Sequence, residues 1–340
     1  MICFMKKIIG ILVLVVFCVA SWLLFANRLD YNKIVIVLPS SKLASSVFFY
    51  KKDGDFFLAN DLKIGFEKLG YDVEYRYRED YDNINLKNAG NVIYLKGYYN
   101  FEKLPKDDVK ERKNILYIYY VEGLHVNILD EVDVVVSGSK RLIDESLKPL
   151  GKVAYFIPQF TNPERFKPFE KDDKYKHDVL FVGSDNSGKG RECVNFAIDT
   201  GAKFDVYGKF WKERLPANVL KGGYIDNDEL YKHYANAKVV LNDHRKDMKH
   251  YGFVSNRIYD VTASGGFILT DYMPEIERLY GDSIAMYKDY DEFKAKLDYY
   301  LLHEEERVKM IEKARKITLE NFTNVKVAEI FVNILKNIQK

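Results

Sequence analysis

The 340-residue chain reads as an α/β protein, built from two doubly wound domains that face each other across a cleft and preceded by a transmembrane helix. Three observations predict this. Short β-branched or apolar runs alternate with amphipathic stretches along most of the chain, which argues for parallel sheets covered by helices. A proline-rich crossing followed by a charged run splits that alternation into two similar halves. An unbroken apolar run lies close to the amino terminus.

That run extends from Ile8 to Ala26, after Lys6 and Lys7 and before Asn27, Arg28 and Asp30. At helical rise it spans roughly 28 Å, about the thickness of bilayer hydrocarbon. Bulky Trp22, Leu23, Leu24 and Phe25 stand where a signal-peptide cleavage site would need small residues, so a retained single-pass anchor over residues 1–30 is expected. Lys6 and Lys7 on one side and Arg28 and Lys33 on the other leave its orientation open.

The first domain is expected over 31–157. Its strands are read at Ile34–Leu38, Val73–Tyr77, Asn91–Leu95, Ile115–Val121, Val132–Val136 and Val153–Ile157, with helices at Ala59–Gly70 and about Lys140–Leu147. Ile115–Val121 is continuously apolar, as a strand covered on both faces should be. Pro158, Pro163 and Pro168 then exclude a central strand or helix, and Glu170–His177 is polar, so 158–177 is taken as an interdomain linker. The second domain, 178–322, carries strands at Asp178–Val182, Phe204–Tyr207, Lys238–Leu241 and Phe267–Thr270. Its helices are read at Arg191–Thr200, Asp228–Ala237, Asn256–Ser264, Glu275–Tyr280, Asp291–Leu302 and Glu304–Asn321. A last helix, Val325–Ile338, occupies 323–340. Both halves are Rossmann-like.

Composition excludes several classes. With 47% hydrophobic residues the chain has material for real cores and is not disordered. A formal charge of +2 gives no reason to expect a nucleic-acid partner. Three cysteines (Cys3, Cys18 and Cys193) without a CxxC pair exclude a disulfide framework and make a zinc knuckle implausible. Cys193 reads as a small core residue on a helix.

Ligands of open α/β sheets bind beyond the carboxyl ends of the strands, so the loops there hold the candidate residues. Gly183-Ser184-Asp185-Asn186-Ser187-Gly188-Lys189-Gly190-Arg191 joins a strand to a helix start, where free N–H groups and two cations suit a diphosphate; a solvated turn is an equal reading. Leu241-Asn242-Asp243-His244-Arg245 follows another strand, and reads either as cleft lining or as an Asx-type turn. In Asn256-Arg257-Ile258-Tyr259-Asp260, Asn256 and Asp260 share one helical face. A carboxylate there can accept two ribose hydroxyls, and an arginine can hold a phosphate. The bland alternative is a helix-start carboxylate paired with Arg257. His125, directly after a buried strand, is a candidate general base for an acceptor hydroxyl, though a lone histidine is more often structural.

The stretch from Asp178 to about Asn321 resembles the donor domain of GT-B-fold glycosyltransferases, group 1 and the CgeB-like group in particular. The motifs are Val-Leu-Phe-Val-Gly-Ser, Tyr207–Trp211, Leu241–Arg245, Asn256–Asp260 and Ala263–Asp271. The linker Pro158–Phe166 resembles the interdomain crossing of such enzymes. The resemblance implies donor-binding roles for Gly183, Ser184, Lys189, Arg191, Lys209, Asn242, Asn256, Arg257, Asp260 and Glu275. Asp260 stands where these enzymes place the second acid of a Glu-x7-Glu motif, which binds the donor ribose. The first acid would fall at Gly252, so the chain departs from the full motif and the stereochemistry of transfer stays open. Lys189 and Arg257 match diphosphate positions.

The resemblance therefore implies transfer of a sugar from a nucleoside-diphosphate sugar to a hydroxyl of an envelope or lipid-linked glycan. No bound metal and no cofactor beyond the nucleotide-sugar substrate are expected, and the catalytic part is expected on the cytoplasmic side of the membrane. A nucleotide-sugar epimerase and a non-catalytic glycan-binding or surface-coat protein on the same fold remain rival readings.

Overall fold

The computed structural model describes residues 28–42, 54–97, 101–120, 127–185 and 188–339. The expected anchor at residues 8–26 and the candidate base His125 lie outside the described residues. Among the described residues, no helix is long and apolar enough to cross a membrane.

Among the described residues, two six-stranded parallel sheets form the body of the molecule. The first contains β1 (Asp30–Val37), β2 (Asp72–Arg76), β3 (Ala89–Lys96), β4 (Lys113–Ile118), β5 (Val134–Ser137) and β6 (Ala154–Phe156), in the order β2-β1-β3-β4-β5-β6. The strand alternation sorts its core into two layers. Ile34, Ile36, Ile93, Leu95, Ile115 and Tyr117 face one layer, while Val35, Val37, Val92, Tyr94, Leu116 and Ile118 face the other. Helix α1 (Gly54–Lys68) covers the first layer through Leu58, Leu62 and Phe66. The stretch read as one helix over 140–147 is a short α-turn, α2 (Lys140–Leu142), running into a π-turn, Ile143–Leu147, that Lys148 N–H closes on the Ile143 carbonyl at 2.9 Å. Strand β4 stops at Ile118, short of the Val121 read from the apolar run.

The second sheet contains β7 (His177–Val182), β8 (Phe204–Tyr207), β9 (Leu220–Gly222), β10 (Ala237–Asn242), β11 (Ile268–Asp271) and β12 (Ala285–Tyr287), in the order β12-β11-β10-β7-β8-β9. Its helices are α3 (Glu192–Thr200), α4 (Leu230–Asn236), α5 (Lys246–Tyr251), α6 (Asn256–Ala263), α7 (Pro274–Tyr280), α8 (Tyr290–Leu302) and α9 (Glu304–Asn321). Strands β9 and β12 and helix α5 escape the sequence pattern. The strands have three residues each, and α5 buries none of its residues, so neither type displays a period. Cys193 is fully buried on α3, and burial holds its thiol well above the usual range.

The last helix, α10 (Asn324–Ile338), follows the second domain in sequence but packs into the first. Phe331 lies edge-on to Phe66 (centroids 5.8 Å apart) and to Tyr117 (5.2 Å). Two chain crossings therefore join the domains, and they are bonded to each other. Thr161 N–H donates to the Phe322 carbonyl and Asn324 N–H to the Thr161 carbonyl, both at 2.9 Å.

Candidate functional site

Each sheet reverses its strand order once, between β1 and β3 and between β7 and β10, and the crevices at those points are where a doubly wound sheet binds ligand. At the second switch point Arg257, half-buried on α6, spans the gap. Its Nη1 donates to Asn242 Oδ1 at 2.6 Å at the end of β10, and its Nη2 donates to the Val182 carbonyl at the end of β7. Its guanidinium also lies over the Phe181 ring, 5.1 Å from the centroid. A cation thus sits at the floor of the crevice.

The loop after β7 is locked to the loop after β8. Gly183 N–H donates to the Tyr207 carbonyl (2.8 Å), and its carbonyl accepts from Trp211 Nε1 (2.7 Å). Lys209 N–H donates to Ser184 Oγ (3.0 Å). Gly208 permits this approach, because a Cβ there would lie 2.0 Å from the Gly183 carbonyl oxygen. Lys189 and Lys209 are exposed on this pair of loops. Gly183, Ser184, Lys189, Lys209 and Arg257 are thereby carried to one crevice rim or floor.

Two expected donor residues point inward instead. Asn242 is fully buried, with its amide donating to Thr270 Oγ1 (2.9 Å) and its oxygen taken by Arg257, so it orients Arg257. Arg191 is paired with Asp243 and donates to the Asp243 carbonyl at 2.6 Å, which fastens the start of α3 to the end of β10. The neighbouring His244 is a buried strut. Its Nδ1 lies 2.6 Å from Asp271 Oδ1, and its Nε2 accepts from Ser255 N–H at 2.9 Å, so both ring nitrogens are tied. Asp271, bonded by His244 and Lys249 against the cost of its burial, is held down at about 2.

Asp260 faces the interdomain cleft, a cavity of about 400 Å³ lined by residues of both domains. It accepts hydrogen bonds from Thr161 Oγ1 and Asn256 Nδ2, each at 2.8 Å. Burial, reinforced by the charge of Asp61 and opposed by Arg165, pushes its carboxyl up to about 7. Across the cleft, Asp61 of α1 is paired with Arg165 and accepts from Asn162 Nδ2 at 2.9 Å. Burial raises its carboxyl as well. Tyr119, Tyr120, Asp55 and Gln159 complete the first domain's side, with Tyr119 donating to Asp55 at 2.5 Å. Asp61, Thr161, Arg165, Tyr119 and Tyr120 were not identified from sequence. Asp61 did leave a signal there, as a carboxylate inside the apolar stripe of Leu58, Leu62 and Phe66.

Glu275 is not in that cavity. It lies at a second domain contact, where Arg141 of α2 donates to its Oε1 at 2.6 Å and to the Lys249 and His250 carbonyls at 3.0 and 3.2 Å. Among the described residues, no group of three His, Cys, Asp or Glu side chains could hold a metal ion.

Two parallel doubly wound domains with a polar cleft between their carboxyl edges define the GT-B class of fold. Solved structures of that architecture superpose on nearly the whole chain. Sucrose-phosphate synthase from Thermosynechococcus elongatus aligns with a TM-score of 0.67 at 11% identity, covering 90% of this chain and 98% of that one. A glycosyltransferase from Rickettsia africae aligns at 0.63 and 12% identity, covering 92% and 99%. T4 phage β-glucosyltransferase aligns at 0.57 and 15% identity, covering 89% and 98%. Residues 191–333 match the family model described as glycosyl transferase-like. Spore protein CgeB of Bacillus subtilis is 28% identical over 187 residues, which are 50% of this chain and 57% of that protein. Residues 191–333 are thus similar to the glycosyl transferase-like family, and the chain as a whole has the GT-B fold.

Proposed function

We propose that the chain is a glycosyltransferase that moves a sugar from a nucleoside-diphosphate sugar to an acceptor hydroxyl. The observation that carries this reading is the placement of Asp260, a buried carboxylate facing a cavity of about 400 Å³ that both domains line. A ribose that reaches it finds an acceptor for its two hydroxyls. The diphosphate then meets Arg257 and Lys189. As the glycosidic bond breaks, charge grows on that diphosphate, and cations placed beside it lower the barrier. No step in this scheme requires a metal ion. The T4 phage enzyme is solved with its UDP-glucose substrate, which supports a donor of this class on this fold. The acceptor we assign is an envelope or lipid-linked glycan, in keeping with a membrane anchor at residues 8–26 that keeps the catalytic domains on the cytoplasmic side. His125, which follows the cleft residue Tyr120 closely in sequence, is the proposed base.

The test is titration of the full-length protein with UDP, GDP, UDP-glucose and GDP-mannose, followed by donor turnover with a membrane extract as acceptor source. Saturable binding that Asp260→Ala weakens tenfold or more is expected. Absence of binding to all four, or an unchanged Asp260→Ala variant, rejects the reading. His125→Ala is expected to abolish transfer while leaving donor binding intact; unchanged transfer removes His125 from the scheme.

A further inference from the structure

The edge of the second sheet opposite the cleft holds a cavity that sugar transfer does not use. Parallel strands all begin on one edge and end on the other. The starts of β7 and β10, where Ala237 pairs with His177, therefore lie at the far end of the sheet from Arg257. A cavity of about 540 Å³ opens there, between residues 171–176 of the crossing, the turn from α4 into β10, and the first turns of α9. That volume suits a small organic molecule rather than a lone ion.

Arg307 of α9 lines this cavity and is only 7% exposed. Its Nη1 donates to the Tyr300 carbonyl near the end of α8. Among the described residues no carboxylate lies within ion-pair distance of it. Its Nε and Nη2 meet no acceptor there, yet neither is sealed from solvent. Burial lowers its pKa, opposed by the charge of Glu304. A cation at the carboxyl end of α8 is favourable in itself, which accounts for the single carbonyl bond. It does not account for the rest of the guanidinium, since a charge this far buried is normally paired.

The surroundings set the sign of the ligand. Lys171, Lys176 and Lys238 line the same cavity. Two of them are already answered, Lys176 by Asp173 at 3.4 Å and Lys238 by Asp178 at 2.7 Å. Asp172 is engaged in the turn that follows it, accepting from Lys174 N–H at 2.9 Å. Among the described residues, Lys171 Nζ meets the Ala235 carbonyl alone, at 3.4 Å. Lys171 and Arg307 are thus two cations on one cavity without a carboxylate in contact. A metal ion would meet their repulsion, and a neutral polyol would leave their charge unanswered. A phosphate or carboxylate can take the free N–H groups of an arginine as a charge-assisted pair. Val308 and Ile311 supply an apolar wall for the remainder of such a molecule.

We propose that this cavity binds a small organic anion bearing a phosphate or carboxylate group, with Arg307 holding that group and Lys171 assisting. Because Arg307 is recessed, the anion is a free small molecule rather than a headgroup in a flat bilayer. The cavity and the cleft stand at opposite ends of β10, so both can be filled at once.

The experiment titrates the full-length protein with inorganic phosphate and with citrate by calorimetry, at constant ionic strength. Saturable binding of at least one of them is expected, phosphate marking a phosphate-bearing ligand and citrate a carboxylate-bearing one. Arg307→Gln is expected to weaken it tenfold or more, and Lys171→Gln at least threefold. Arg257→Gln, which alters the cleft instead, should leave it within twofold. If Arg307→Gln fails to fold, Arg307→Lys keeps the charge and removes the planar donor set, and should weaken binding at least fivefold. A wild type that binds neither anion saturably overturns the inference. So does binding that the Arg307 variant leaves within twofold, or binding that Arg257→Gln weakens as much as Arg307→Gln does.

Discussion

Asp260→Asn is the perturbation whose outcome the structure fixes most closely. Burial lifts the Asp260 carboxyl from 3.8 to about 7, so the folded protein holds this proton more tightly than the unfolded chain does. The sign follows directly. The contribution to stability is complete below pH 3.8 and is lost as the pH rises through about 7, leaving a costly buried anion above it. At about 1.4 kcal/mol per pH unit, the ceiling on that loss is about 4 kcal/mol. Asparagine removes the titration and keeps the shape. Its oxygen can accept from Thr161, and its amide meets Asn256, whose Oδ1 is buried without a partner and becomes the acceptor once that amide turns over.

The assay is thermal or urea unfolding of wild type and Asp260→Asn in parallel from pH 4 to 8.5. The variant should gain on the wild type throughout the rise to pH 7 and hold that gain above it. A gain of 1 kcal/mol corresponds to about 2–4 °C in Tm, and the full effect to several times that. Donor affinity should fall at least tenfold in the same variant, because one acceptor oxygen for the ribose becomes a donor. Curves that stay parallel across the whole range would refute the buried-carboxylate argument, whatever happens to binding.

Three further outcomes are expected. Arg165→Ala leaves the buried Asp61 carboxylate without its cation, and should destabilise the fold by about 3–5 kcal/mol in urea; Asp61→Asn in the same background should restore a large part. His233 is depressed to about 4 by burial and by the neighbouring His177, whose Nε2 lies 2.9 Å from its Nδ1. The unfolded chain therefore takes that proton first, and the wild type should lose stability as the pH falls from about 6.5 to 4; His233→Gln should flatten that limb of an acid titration. Phe331→Ala opens a hole between α1, β4 and α10 and should cost about 3–5 kcal/mol by denaturant unfolding, although it lies in a helix that follows the second domain in sequence.

The alternation of strand and helix was legible because both sheets are covered on two faces, so their strands carry continuous apolar runs. Asn91–Leu95 and Asp178–Val182 fall on observed strands, and Ile34–Leu38 does so except for Leu38, just past the end of β1. Elements too short to show a period, such as Leu220–Gly222 and Ala285–Tyr287, left no trace. The partner of the last helix was illegible for a different reason. The apolar stripe of Val327, Ala328, Phe331 and Leu335 states that a face is buried, but nothing in it states against which domain. At the site, the second-domain loops could be read because each follows its strand directly. Asp61, Thr161 and Arg165 could not, since their meeting with Asp260 depends on how two domains are placed.

That placement also explains why the cleft is polar on one side and fastened on the other. The bonded crossings at Thr161 and Thr323 lie beside α10, which packs on α1 in the first domain, so the domains are joined covalently along this edge. Asp61, Arg165, Thr161 and Asp260 form the adjoining wall, which links α1, the crossing and α6 in one chain of hydrogen bonds and charge. The far contacts are of another kind. Tyr120 donates to Asp247, Ser139 to the Tyr251 carbonyl, and Arg141 reaches Glu275 and the end of α5. Such polar ties exchange readily for bonds to water, whereas the chain crossings cannot be exchanged.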